Sequence, residues 1–161
     1  TGSIWHIAAA NLEKGAGIEL NHVPHEGAAP AVTALVGGHI DAVTVSPAEV
    51  KAQLEAGNVK VLGVMADERS DLVPDVATFK EEGVDLQSVG TWRGITLPKD
   101  TPDEIVEKLE KAVLEAAESE GFKEFMDSNG LGIEIKTAKE FEAFMEENEK
   151  LFGDIIKDLG L

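Results

Sequence analysis

Apolar positions switch between two spacings along residues 1–66. Ile4, Ile7, Ala8 and Leu12 recur at helical spacing behind Ser3, whose hydroxyl suits a helix N-cap, and Gly15-Ala16-Gly17 stops the run. Ile18, Leu20 and Val23 form a short apolar stretch that ends at Pro24. A second helix is expected from Pro30, because proline fits a first turn whose N–H has no partner, and Gly37-Gly38 ends it. Ile40 to Val45 begins another strand. Ser46-Pro47 then opens a third helix closed by Gly57, and Val59 to Met65 has the Val- and Leu-rich character of a buried strand. This alternation with short connections predicts an α/β fold: a parallel-type sheet flanked by helices.

The second half reads differently. Asp67 to Gly83 is irregular, with a short helical piece around Thr78 to Glu82, and Trp92 to Leu97 suits a strand. Thr101-Pro102-Asp103-Glu104 opens a helix to about Glu118, with Ile105, Val106, Leu109, Ala112, Val113 and Ala116 on one face. Phe122, Phe125 and Met126 mark a shorter helix ending at Asn129-Gly130. Ile133 and Ile135 alternate briefly as a strand. Thr137 to Leu159 is a last helix striped by Phe141, Phe144, Phe152 and Ile155. The sheet is thus followed by C-terminal helices.

The stretch from Asn21 to Val43 is a predicted strand–loop–helix–strand unit. Its His25–Ala29 loop leaves backbone N–H groups at a helix N-terminus, which suits an anion such as a carboxylate; a plain tight turn fits the same composition. In parallel sheets ligands bind beyond the carboxyl ends of strands, which adds the 45–47 connection and the helix start at 1–3 as candidates.

Charge narrows the partners. With 14 basic and 31 acidic residues the net charge is −17, so nucleic acid and anionic membrane are poor partners. Residues 1–50 carry five acids and one base, whereas residues 101–161 carry 17 acids and 7 bases. The candidate anion loop therefore lies in the less acidic part, and the acidic excess reads as solvated helix faces. The absence of cysteine excludes disulfides and thiolate metal sites. No stretch approaches the ~20 apolar residues of a membrane helix, and no signal segment opens the chain.

Catalytic motifs are lacking. There is no nucleophile elbow, Walker loop, dinucleotide fingerprint or zincin pair. The histidines at 6, 22, 25 and 39 match no metal-ligand spacing. Ser3 with His6 has no third group to orient it as a nucleophile and base. No catalytic residue, metal or cofactor is assigned, and the chain is not expected to be an enzyme.

Three stretches carry a resemblance: Gly2-Ser3-x-x-His6, then His22-Val23-Pro24-His25-Glu26-Gly27-Ala28-Ala29-Pro30-Ala31, then Leu35-Val36-Gly37-Gly38-His39-Ile40-Asp41. Together with Glu68-Arg69-Ser70, Pro74-Asp75-Val76, Trp92-Arg93-Gly94 and the Pro98 to Pro102 segment, they resemble the solute receptors of tripartite tricarboxylate transporters, the Bug-type periplasmic binding proteins. The resemblance spans essentially the whole chain. It implies a periplasmic-binding-protein-like lobe in a periplasmic or extracytoplasmic receptor that closes on a small organic acid, a di- or tricarboxylate or similar, and serves membrane transporter subunits. Carried over by position, the ligand groups are Thr1, Gly2, Ser3, His25, Gly27, Ala28, Ala29 and Ser46.

The resemblance begins partway into a family member and covers its C-terminal half. It implies that residues 1–90 form the second ligand-binding lobe and that 91–161 return to a first lobe. Histidine stands at 25 where the family usually has tyrosine, and glutamate at 26 where lysine is frequent. Apolar stripes on the C-terminal helices lead to an expectation of association with another chain or with an N-terminal half. Two other classes compete: an enzyme on the same α/β scaffold, and a ligand-sensing module of a regulator.

Overall fold

The computed structural model describes residues 2–160. Six helices organise them: α1 (Ile4–Ala16), α2 (Ala28–Val36), α3 (Pro47–Glu55), α4 (Asp103–Ala117), α5 (Glu120–Ser128) and α6 (Ala138–Asp158). Each lies where apolar spacing and capping residues place a helix. Ser3 caps α1 by accepting from the His6 N–H at 3.3 Å, and Ser119 caps α5 by accepting from the Phe122 N–H at 3.3 Å. Thr137 precedes α6, and the Glu140 carboxylate accepts from its N–H at 2.9 Å. The carboxyl of Glu140 is held below the usual glutamate range, first by the Thr137 hydroxyl and then by its N–H. The expected helical piece near Thr78 is instead a series of turns.

The parallel sheet does not form. Among the described residues the ladder is one isolated parallel bridge, Val64 to Thr78. It is made by the Val64 N–H to the Ala77 carbonyl at 3.2 Å and the Phe79 N–H to the Val64 carbonyl at 3.0 Å. The segments read as strands at 18–24, 40–45, 92–97 and 133–135 carry no ladder among the described residues. The physical reason is cover: parallel strands are stable when both faces are buried. Here Leu62 is 74% exposed, Ile95 70% and Val23 52%. The expected α/β lobe is therefore a helical assembly joined by irregular connectors, and the sequence expectation is corrected on this point.

The chain divides into two units, Thr1–Thr91 with Phe152–Leu161, and Trp92–Leu151. The first holds the buried residues Ile7, Ala8, Ala9, Ala10, Ala31, Val32, Val50 and Ile155. Buried Asn11 donates from Nδ2 to the Gln87 carbonyl at 2.8 Å, which ties that connector to α1. The end of α6 belongs to this unit, where Asp158 pairs with Lys14 at 2.8 Å. In the second unit Trp92 meets Phe141 edge-on at 5.2 Å and Phe144 at 5.9 Å. Ile105, Leu109 and Val113 of α4 and Phe122 and Phe125 of α5 remain exposed.

A polar clamp closes the irregular region of the first unit. Arg69 Nε donates to both Glu81 oxygens, at 3.1 and 2.9 Å, and Arg69 Nη1 donates to the Pro74 carbonyl. Glu81 also accepts from the N–H of Thr78 at 2.7 Å, and Thr78 is 1% exposed. The Arg69 guanidinium, then the Thr78 N–H, hold the Glu81 carboxyl below the usual glutamate range. A depressed carboxyl stabilises the fold above its unfolded value, and that contribution is lost as pH falls through the folded value. Thermal unfolding between pH 7 and pH 3 is therefore expected to show a smaller acid loss for Glu81→Gln than for the wild type. Identical pH slopes would contradict this.

Candidate carboxylate site at the start of helix α2

Gly27 is the N-cap of α2, with φ 135 and ψ 179. That backbone conformation is essentially restricted to glycine. Ala28 and Ala29 are already the first helical residues, so the predicted loop and helix overlap by two positions, and Pro30 still sits in the first turn. The first turn holds no acidic residue, and no side-chain cap bond forms at Gly27 among the described residues. The N–H groups of Ala28 and Ala29 thus sit at the positive end of a helix dipole and precede the first intrahelical bonds.

The other candidates differ in how far they are committed. Gly2 donates its N–H to His6 Nδ1 at 3.0 Å, and the Ser3 hydroxyl is taken by the His6 N–H. Thr1 lies outside the described residues. Ser46 precedes α3, but its N–H already donates to the Glu49 carboxylate at 2.9 Å. An internal carboxylate therefore occupies the backbone donor of Ser46, and its hydroxyl oxygen faces the Glu49 N–H in a capping box, so that only the hydroxyl hydrogen is left to donate to a ligand. His25 Nδ1 lies 2.9 Å from the Val23 carbonyl, so that nitrogen must carry the hydrogen. Nε2 of the neutral ring then bears a lone pair, and His25 can donate through it to an anion only as the imidazolium.

Contacts inside the first unit relate these pieces. The Thr44 hydroxyl donates to the Trp5 carbonyl at 2.8 Å, which fixes the connector before Ser46 onto the first turn of α1. Gly17, with φ 64, reverses the chain after α1. The returning segment is then held by Glu13, which accepts from the Leu20 N–H at 2.7 Å and from His22 Nε2 at 2.8 Å. The His22 and His6 rings meet edge-on at 4.8 Å. No bond joins Gly27, Ala28 or Ala29 to Ser3 or Ser46 among the described residues. A hollow of ≈ 360 Å³ lined by Ala10, Glu13, Lys14, Ile18, Ile155 and Asp158 contains none of the sequence-predicted ligand residues.

Glu13 and His22 were not among the candidates from sequence. They are nine positions apart across a chain reversal, and the only local sign of that reversal is Gly17. Burial opposes ionisation of Glu13, but the Leu20 N–H and His22 outweigh it and hold the carboxyl below the usual glutamate range. Burial, followed by the neighbouring His22 ring, pushes His6 below the usual histidine range.

The start of α2, with its glycine cap and no first-turn acid, is the arrangement of backbone N–H groups that suits a small anion. Over residues 1–161 the chain matches the family model described as tripartite tricarboxylate transporter family receptor, and it belongs to that family. It is 36% identical over 138 residues to a UPF0065 protein from the tcbD-tcbE intergenic region of Pseudomonas sp. strain P51, covering 85% of this chain and 40% of that protein. It is 39% identical to a TctC solute-binding protein from Polaromonas, solved without ligand, with a TM-score of 0.85 over 98% of this chain and 55% of the other. It is 29% identical to MatC from Rhodopseudomonas palustris with bound malate, with a TM-score of 0.76 over 96% of this chain and 54% of the other. The chain spans about half the length of the curated relatives it matches. Among the described residues no helix is long and apolar enough to cross a membrane.

Proposed function

We propose that this chain contributes one side of the ligand site of an extracytoplasmic receptor that binds a small organic carboxylate and delivers it to transporter subunits in the membrane. The observation that carries this reading is the start of α2, where neither a capping side chain nor a first-turn acid competes with a ligand. A ligand carboxylate accepts from the N–H groups of Ala28 and Ala29. By family position, His25, Ser46, Gly2 and Ser3 are the further groups assigned to the ligand, with His25 donating when its ring is protonated. Glu26 must point away, since two carboxylates side by side repel. Malate is the probe that family likeness suggests, because the 29% identical MatC was solved with it. Residues 1–90 form the ligand lobe in this reading, and 91–161 return toward further receptor sequence, which covers the exposed faces of α4 and α5.

Native mass spectrometry of the chain, alone and with malate, succinate and citrate, tests the proposal. One acid per chain, or per assembly of two chains, is the expected result. A monomer that takes none of the acids, with unchanged amide spectra at Gly27, Ala28 and Ala29, would overturn it.

A further inference from the structure

On the reading that the His25–Ala29 loop holds a carboxylate, we propose that Glu13 and His22 are positioning residues that fix the connector leading into this loop onto helix α1. The geometry is a clasp. Both oxygens of Glu13 are used, one by the Leu20 N–H at 2.7 Å and the other by His22 Nε2 at 2.8 Å. Two points on one connector are thereby fixed to one helical residue, and a segment held at residues 20 and 22 has only Val23 and Pro24 before the loop begins. His25 continues the restraint, since its ring hydrogen-bonds the Val23 carbonyl at 2.9 Å. The Glu13 and His22 side chains are 20% and 30% exposed, so the bond between them is better shielded from water than one at the open surface.

A second histidine stands beside the clasp. The titratable groups there are His6 and Glu13 from α1 and His22 from the connector. The His6 and His22 rings are 4.8 Å apart, so protonating both sets two like charges edge to edge against a single carboxylate. His6 resists protonation in the folded chain because burial, then His22, opposes it. A histidine with a depressed folded value contributes stability that is full above its unfolded value and is lost as pH falls below it. The share of stability that an uncharged His6 contributes is therefore expected to be lost below about pH 6.5.

Three variants of the full chain test the clasp: His22→Ala, Glu13→Gln and His22→Gln. Glutamine at 22 keeps an N–H donor at the position of Nε2 but cannot titrate. At pH 7.5 the amide signals of Gly27, Ala28 and Ala29 are expected to move in His22→Ala and Glu13→Gln and to stay near the wild type in His22→Gln. Malate binding is expected to weaken about tenfold in the first two and to be rescued in the third. Loop amides and malate affinity of His22→Ala that coincide with the wild type would overturn the clasp while leaving the receptor reading intact. A wild type that takes no malate would remove the receptor reading for that acid, while the amide comparison still decides the clasp.

Discussion

Replacing Gly27 by alanine is expected to weaken malate binding by about tenfold or more, for a conformational reason alone. A Cβ at this position would meet nothing within 4 Å among the described residues, so no clash opposes the change. The cost lies in φ 135 with ψ 179, a region that L side chains scarcely enter and that carries about 1–3 kcal/mol of strain. Relieving the strain rotates the Gly27 peptide and re-aims the Ala28 N–H, the donor at the centre of the candidate site. A tenfold change corresponds to about 1.4 kcal/mol, within that strain, and calorimetric titration of malate reads it directly. D-Alanine at position 27, placed by semisynthesis, gives the decisive comparison. The mirror image of the Gly27 conformation is ordinary extended backbone, so the D-residue fits without strain and is expected to bind as the wild type does. Equal affinities for L-alanine and D-alanine chains would exclude the start of α2 as the anion site.

Local signals carried the helices, and non-local ones decided the rest. Ser3, Ser119 and the Thr137–Glu140 pair act within one helical turn, so the starts of α1, α5 and α6 are legible from a few consecutive residues. A strand has no such autonomy. Val59 to Met65 has the composition of a buried parallel strand, yet Leu62 is mostly exposed and, among the described residues, only Val64 and Met65 find backbone partners, at Ala77, Phe79 and Val89. Composition describes the environment a segment suits; pairing depends on what covers it. The family could be read because short motifs such as His22-Val23-Pro24 and Leu35-Val36-Gly37-Gly38 are consecutive in sequence.

The candidate site divides along the same line. The start of α2 was legible because Gly27 and Pro30 are strong backbone signals. The commitment of the Ser46 N–H to Glu49 was legible in principle, as a serine followed three residues later by glutamate. The Glu13–His22 clasp was not, because its geometry depends on the left-handed turn at Gly17 returning the chain along α1 rather than away from it. Of the four histidines, those at 6 and 22 meet through that turn.

Truncating Ile155 to alanine is expected to destabilise the first unit by about 3 kcal/mol, the range for emptying a buried aliphatic site. Ile155 is 4% exposed and lines the hollow with Ala10 and Ile18, so its removal enlarges a space that already exists and that the rigid α1 backbone cannot refill. At about 2–4 °C per kcal/mol for a chain of this size, the melting temperature should fall by about 6–12 °C. The companion substitution is Leu109→Ala on α4, where the side chain is 42% exposed and every residue of the helix is at least partly open to solvent. It is expected to cost no more than about 0.5 kcal/mol in the chain alone, because little apolar surface returns to water. The pair therefore separates a helix end that is packed from a helix face that is open. Should Leu109→Ala cost as much as Ile155→Ala, the α4 face would be packed in solution, and the proposal that further receptor sequence covers it would fall. A small loss at Leu109 together with a large one at Ile155 would mean that the first unit stands on its own core while the apolar stripe of α4 stays open to solvent, as the proposal requires.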